Sequence, residues 1–421
     1  CAGDATLVQG DEEIIFPRAQ LAAPRLVAPL STATVTTRRP PLRWSLAEGE
    51  QGAIVEVCRD RACRSIEARV AVTGSAAPAW FPALAPGVHF WRVYGFRGLV
   101  RSASPSATWE FRVGPRSAAV ASSYGQASDY NGDGYSDLAI PASEVGGPAS
   151  QVYVYHGSPA GLGPRPDQVI AAPTTGAYAL EWAATSSSLD VGDLNGDGYS
   201  DMAVRAVWRD APTPDEVATV FVHHGGPRGL DPLPSRVLPS ATDYGTEHGF
   251  AISAAGDLNG DGYGDLALGD IGVAERFDDN AGFVHVYYGS ADGVADAPDV
   301  TLANPSREHL FGWALAGGGD FNADSFSDLL ATGPMRSNGA GYFRVFAGRS
   351  PGVAWEAVVS TPNPDTRGGS KLGSLATLAG DVNADGYSDA VVAQRGFSVY
   401  EEGVARYVPG TRYLVYLGGA S

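Results

Sequence analysis

Short runs of alternating apolar and polar residues, punctuated by glycine and proline, recur along this chain. "VYVYHG", "VFVHHG", "VHVYYG", "FRVFAG" and "LVYLG" follow one another at near-equal intervals. A period of two with turn residues at each end reads as β-strand. Each run is preceded by a short apolar stretch ("LAI", "MAV", "LAL", "LLA", "AVV") and by a small-residue stretch such as "FAISAAG", "WALAGGG" or "SLATLAG". The first four are followed by a further apolar run: "DQVIAA", "SRVLPS", "DVTLAN" and "EAVVST". Four strands recurring in units of about 62 residues describe the blade of a radial array, so residues 116–421 are expected to form a five-bladed β-propeller. The last unit stops at "LVYLGGAS", before a fourth strand. An open outer edge is a pairing liability, so "EEIIF" at Glu12–Phe16, or a strand from a partner, is expected to complete it.

Residues 22–114 carry a different pattern, with "PLRWSL", "AIVEVCRD", "SIEARVAV", "VHFWRVYGF" and "TWEFRVG". About seven short strands in this span predict a β-sandwich with Trp44, Trp91 and Val93 in its core and "RVGPRS" at Arg112–Ser117 as the linker. Residues 1–21 read as a polar tether.

Between the small-residue stretch and the next strand of every repeated unit stands one acidic nonapeptide. The copies begin at Asp129, Asp193, Asp257, Asp320 and Asp381, which are 64, 64, 63 and 61 residues apart. Three aspartates in nine residues repel one another unless a cation joins them. In the first copy the candidate ligands are Asp129, Asn131, Asp133 and Asp137 through their side chains and Tyr135 through its carbonyl. The second offers Asp193, Asn195, Asp197, Tyr199 and Asp201, and the third Asp257, Asn259, Asp261, Tyr263 and Asp265. The fourth offers Asp320, Asn322, Asp324, Phe326 and Asp328, and the fifth Asp381, Asn383, Asp385, Tyr387 and Asp389. Ligands from positions 1, 3, 5, 7 and 9 converge when the chain curls, and glycines at positions 4 and 6 permit that curl. Oxygen-only donors on a flexible loop select Ca²⁺ over Mg²⁺ or Zn²⁺, so up to five Ca²⁺ are expected. The front of each loop matches an EF-hand, but no glutamate follows at position 12 and a strand follows in place of a helix. The fourth loop has Ala323 and Ser325 where others have glycine, and is expected to be the weakest.

Composition narrows the function. The chain has 421 residues, too many for one ordinary core. Its net charge of −18 argues against nucleic acid as a partner. Lys371 is the only lysine among 29 basic residues, a bias that suits a GC-rich bacterial genome. Cys58 and Cys63 bracket "RDRA", a spacing suited to a tight hairpin and a disulfide formed in an oxidising compartment. A mature chain starting at cysteine resembles a bacterial lipoprotein after signal-peptide removal. A lipid on Cys1, a membrane anchor and an outer-membrane or cell-surface location are therefore expected.

"FAISAAGDLNGDGYGDLALGD" followed by "GFVHVYYGS" resembles the FG-GAP repeat of the integrin α-subunit propeller and its bacterial relatives. The resemblance spans about 116–421 and implies structural calcium between the first two strands of each blade, with ligands on the opposite face. The departure is the blade count: integrins have seven, and five are counted here. Residues 22–114 resemble a fibronectin type III module, carried by "PLRW" at Pro41 and "LAPGVHFWRV" at Leu84, with Phe90 where that family prefers tyrosine.

No H-E-x-x-H or G-x-S-x-G motif occurs, so the chain is expected not to be an enzyme. His156, His223 and His285 fall in successive strand runs and read as structural. The segments after the second strands carry Trp208, Arg209, Arg276, Phe277, Arg336, Phe397 and Tyr400, residue types typical of binding hot spots. These segments differ from blade to blade, which favours a protein partner over a repeated glycan pocket. The expectation is a surface adhesion or binding protein, with a lectin, or an accessory domain or enzyme acting on polysaccharide or lipid, as alternatives.

Overall fold

The computed structural model describes residues 5–9, 12–16, 21–77, 82–115, 117, 123–142, 150–172, 174–175, 178–182, 189–208, 218–239, 248–271, 282–303, 310–334, 341–350, 357–362, 371–383, 385–401 and 404–419. The secondary structure of these residues is all β.

Two sheets face each other in residues 25–113. Arg25–Ala28, Leu42–Ser45 and Ala76–Ala77 form one. The other runs in the order Ala33–Val35, Trp109–Val113, Gly87–Arg97, Gly52–Cys58, Ile66–Thr73. Ala33–Val35 and Trp109–Val113 are parallel, and the other neighbours in this order are antiparallel. Alternate residues enter one core, where Leu26, Trp44, Val55, Trp91, Val93, Trp109 and Phe111 are buried together. Trp91 meets Trp109 edge-on with centroids 6.4 Å apart, and Trp44 Nε1 donates to the Gly74 carbonyl at 3.1 Å. The tryptophans expected in the core are there. Cys58 and Cys63 are bonded, with Cys58 at a strand end and Cys63 in the turn that follows.

Five antiparallel sheets follow. The first holds Leu138–Ala142, Gln151–Tyr155 and Gln168–Ala171. The second is built on Asp201–Trp208, Thr219–His223 and Arg236–Pro239, with Asp190–Gly192, Tyr178–Trp182 and Thr174–Thr175 on its other side. The third runs His248–Gly256, Asp265–Asp270, Phe283–Tyr287, Val300–Ala303. The fourth runs Leu315–Gly319, Asp328–Gly333, Tyr342–Phe346, Ala357–Pro362, and the fifth Lys371–Gly380, Asp389–Glu401, Val404–Tyr416.

Successive sheets stack through shared apolar clusters. Val152 and Val154 of the first pack with Met202 and Val204 of the second. Ala203 and Val220 pack with Ile252 and Leu266 of the third, Ala267 and Val284 with Leu329 and Ala331 of the fourth, and Leu330 and Val345 with Ala390 and Val392 of the fifth. Covered on both faces, Asp265–Asp270 and Asp328–Gly333 are buried at every residue. The small residues before each acidic loop let inner strands approach closely. A Cβ on Gly317 would lie 2.5 Å from the Ala255 Cα. This stacking of repeated sheets is consistent with a β-propeller.

Three features differ from the sequence-based expectation. Ser123–Gln126, the run before the first acidic loop, pairs with Ala33–Val35 of the sandwich and leaves the first sheet with three strands among the described residues. Glu12–Phe16 pairs with Ala5–Gln9 in a hairpin of its own rather than completing the fifth sheet. Among the described residues no strand of this chain completes the fifth sheet, and Tyr413, Val415 and Leu417 on its outer strand and the segment just beyond are 65%, 55% and 57% exposed. The alternation of "EEIIF" suited an edge strand, but the adjacent "ATLVQ" offered a local partner at far lower loop-closure cost. Among the described residues no apolar cluster joins the fifth sheet to the first, whose Leu138, Ile140 and Val169 are also exposed. Cys1 lies outside the described residues.

Candidate metal centres

Each acidic loop is a tight curl held by its own first and last carboxylates. In the second loop Asp193 Oδ1 accepts the N–H of Gly196 at 2.7 Å and of Asp197 at 3.2 Å, and Oδ2 accepts Gly198 at 2.8 Å. The first and third loops repeat all three bonds, and the fourth and fifth repeat those from positions 5 and 6. The position-9 carboxylate does a different job. Asp201 Oδ2 accepts the Leu194 N–H at 2.9 Å, and Oδ1 accepts the N–H of Gly225, the glycine after the third strand of the sheet, also at 2.9 Å. The same staple recurs at Asp137, Asp265, Asp328 and Asp389. Each position-9 oxygen accepts one of these bonds and keeps a second lone pair for a cation. The asparagine amide at position 3 donates to the position-5 carboxylate in all five loops.

The glycines earn their place sterically as well as conformationally. Gly196 has φ 71° and Gly198 φ 97°. A Cβ on Gly196 would sit 2.8 Å from the ring of Tyr263, the position-7 residue of the next loop; Gly260 meets Phe326 in the same way at 2.5 Å. Position 8 adds a second link between loops. Ser200 N–H donates to the Asp129 carbonyl while Ser200 Oγ accepts the Asp129 N–H, both at 3.0 Å. Ser327 does this to Asp257, and Ser388 to Asp320. The loops are thus chained first to second, third to fourth and fourth to fifth, with the Gly264 N–H on the Asp193 carbonyl joining second to third. Ser327→Ala leaves the buried Asp257 N–H without its acceptor and is expected to lower stability by about 1–2 kcal/mol in a denaturant titration.

Ser325 and Ala323 of the fourth loop hold φ of 76° and 57°, a region unfavourable to residues with a Cβ. Ser325→Gly is therefore expected to stabilise the chain by about 1 kcal/mol, read as a shifted denaturant midpoint with unchanged slope.

The carboxylates are poised for a cation. Burial, then the Asp197 charge, pushes Asp193 up to about 8. Burial and the neighbouring aspartate likewise hold Asp201 and Asp265 well above the carboxylate range. Asp257 rises to about 7, Asp328 to about 7, and Asp137 and Asp320 to about 6, each chiefly through burial. The three carboxylates of a loop do not all come within 4.8 Å of one another. The donor set is nonetheless all oxygen, and every loop leaves buried negative charge uncompensated from within. That suits a hard dication: Ca²⁺ at positions 1, 3, 5 and 9 and the position-7 carbonyl.

The sandwich covers this face over the first three loops, an arrangement the sequence did not reveal. Arg61, carried on the turn that the Cys58–Cys63 bond closes, inserts between the first two loops. Its guanidinium donates to the Gly132 carbonyl, to Gly198 O at 2.8 Å, to Thr108 O at 3.0 Å and to Glu110 Oε2 at 3.1 Å, and lies 4.6 Å from the Tyr199 ring centroid. Arg25 stands over Tyr263 at 4.6 Å. Trp109 Nε1 donates to Gly196 O at 3.0 Å, and Ser31 Oγ to Gly198 O at 3.1 Å. Glu110 is pushed up to about 8 by burial and by Asp129. A cavity of about 250 Å³ lies farther round, between Val27–Pro41 and the third and fourth loops.

The other expected contacts are placed differently. Arg209, Arg276, Phe277 and Arg336 lie outside the described residues. Trp208 ends a strand, and Phe397 and Tyr400 lie within Asp389–Glu401, paired with Val408 and Ala405, rather than in loops. The alternation of "FSVYE" against "VARYV" extends the hairpin through them.

Comparison with known proteins identifies the repeat. Residues 129–204 match the FG-GAP-like repeat, and residues 311–346 match the FG-GAP repeat. The chain is 34% identical to integrin alpha-PS5 of Drosophila melanogaster over 148 residues, which are 34% of this chain and 14% of that protein. It is 34% identical to integrin alpha-IIb of Mus musculus over 163 residues (35% and 14%). It is 33% identical to phosphatidylinositol-glycan-specific phospholipase D of Bos taurus over 168 residues (38% and 19%). The chain therefore spans less than a fifth of the length of these relatives. Over the matched residues the chain is similar to FG-GAP repeats and to the integrin alpha chains that carry this likeness.

Proposed function

We propose that this chain is an exported, calcium-stabilised binding protein that engages a protein partner through the face of its repeated sheets opposite the acidic loops. Ca²⁺ in the five loops pins the turn between inner and second strands, and a fibronectin type III-like domain at 22–114 acts as spacer and cap. The observation that carries this reading is the docking of the sandwich on the acidic face through Arg61, Trp109 and Ser31. With the first three loops of that face covered, the opposite ends of the sheets are the face we assign to a ligand. The sequences that follow the second strands differ between repeats, which suits one protein epitope better than several equal sugar pockets. The three-plus-five strand pairing of residues 25–113 supports the fibronectin-like assignment. The Cys58–Cys63 bond supports an oxidising compartment. The integrin relatives support adhesion, and the absence of an enzymatic role belongs to the proposal.

The test is a paired screen of the calcium-loaded chain against a panel of purified extracellular proteins and a glycan array. Saturable, chelator-sensitive binding to a protein, with none to glycans, is expected. Binding to one sugar class with several equivalent sites would make it a lectin instead.

A further inference from the structure

The third sheet holds a second cluster of ligating side chains, made of different chemistry and set at the other end of the strands from its acidic loop. His248, Asp270 and His285 come from the inner, second and third strands. His248 faces Asp270 directly across the ladder, and His285 lies on the diagonal, opposite Leu268. Asp270 ends the strand that Asp265 begins. Five residues of strand separate the two carboxylates by about 17 Å, so the cluster is no part of the acidic loop.

All three side chains are essentially removed from water, at 0%, 1% and 1% exposure. His248 Nδ1 and His285 Nε2 stand 3.6 Å and 3.7 Å from the same oxygen, Asp270 Oδ2. These separations are too long for hydrogen bonds. Both ring nitrogens of His248, the Nε2 of His285 and the hydroxyl of Tyr287, two residues along the same strand face, are buried without a hydrogen-bond partner. Three orphaned ring nitrogens beside one carboxylate, with an orphaned hydroxyl on the same strand face, are costly in a folded interior. The second ring nitrogen of His285 is held: Nδ1 lies 3.1 Å from Thr301 Oγ1, its cross-strand neighbour. That bond sets the ring's orientation and lets it present Nε2 to the cluster. Arg205 Nε donates to the His248 carbonyl at 2.8 Å and fixes the first strand of the three.

We propose that His248, Asp270 and His285 bind a borderline divalent transition cation of the Zn²⁺ class. Two imidazole nitrogens and one carboxylate oxygen are its donors, not those of Ca²⁺. Bonds of about 2.0–2.2 Å in a tetrahedron would place neighbouring ligand atoms about 3.3 Å apart. The observed 3.6 and 3.7 Å therefore need only a small contraction. A water would complete the set. Closed to solvent and spanning three strands, the site is structural: it ties the end of the third sheet that the acidic loop does not reach.

The test uses the full chain in excess Ca²⁺, which fills the oxygen sites, titrated with Co²⁺. One equivalent with intense visible absorption of a four- or five-coordinate ion, displaced by Zn²⁺, is expected. His285→Gln and His248→Gln should each weaken Co²⁺ binding roughly a hundredfold or more, while His223→Gln leaves it unchanged. Weak, octahedral-type absorption, or Co²⁺ affinity unaltered in both variants, overturns the proposal. Should the variants not fold, anomalous scattering at the zinc edge from wild-type crystals soaked in Zn²⁺ decides. A peak between the three side chains sustains the site, and peaks only elsewhere overturn it.

Discussion

Transferring the chain from millimolar calcium to a chelator is expected to lower its melting temperature by roughly 10–20 °C. An ion held at a hundred times its dissociation constant adds about 2.7 kcal/mol to the folded state. Domains of about 150–250 residues move about 2–4 °C per kcal/mol and larger ones less, so three or four well-filled loops suffice. The physical source is the set of aspartates at positions 1 and 9, all buried except Asp381, held by backbone donors with no cationic side chain within the nonapeptide. The pH dependence gives a sharper signature. In the ion-free chain Asp193 titrates near 8, Asp257 and Asp328 near 7, and Asp137 and Asp320 near 6. The folded chain then binds more protons than the unfolded one between about pH 4 and 8, so stability falls as pH rises through that window. Calcium needs the ionised carboxylates and binds more tightly as pH rises. The slope of melting temperature against pH should therefore be negative in chelator and flat or positive in calcium. Identical melting in the two buffers at every pH would remove calcium from the account.

What the sequence disclosed and what it hid divide along sequence separation. The acidic loops were legible because their donors lie within nine consecutive residues and the glycines that allow the curl stand among them. The stacked sheets were legible from period-two runs at a fixed interval. The links between loops were not. Ser200 reads as a filler beside Asp201, yet it closes a pair of hydrogen bonds to Asp129, 71 residues away. The pairing of Ser123–Gln126 with the sandwich was hidden for the same reason: a four-residue strand fits either neighbour, and only the tertiary arrangement decides. His248, Asp270 and His285 share a site only because three antiparallel strands bring them into register. At separations of 22 and 15 residues they match no local motif.

Arg61 was hidden too, and its replacement is the most informative single change. Arg61→Ala is expected to cost about 3 kcal/mol and to split one calorimetric transition into two, one for the sandwich and one for the repeated sheets. The side chain reaches two acidic loops at once, through the carbonyls of Gly132 and Gly198, and pairs with Glu110. Its removal leaves those carbonyls short of a donor and takes from Glu110, only 4% exposed at its side chain, the hydrogen bond and the cation that oppose its protonation beside Asp129. Three distinct outcomes separate the possible causes. If the loss is the stranded Glu110 carboxyl group, Glu110→Gln in the Arg61→Ala background recovers part of the stability, most clearly at alkaline pH, because an amide does not ionise. If it is the lost reach to the loops, the double variant stays as unstable as the single one and the two transitions persist. If the interface is held mainly by Trp109, Ser31 and Arg25, Arg61→Ala leaves one transition and costs under about 1 kcal/mol, as an exposed ion pair would. Cutting the turn with Cys58→Ser and Cys63→Ser should follow Arg61→Ala in direction, since the bonded turn is what aims the guanidinium at the loops.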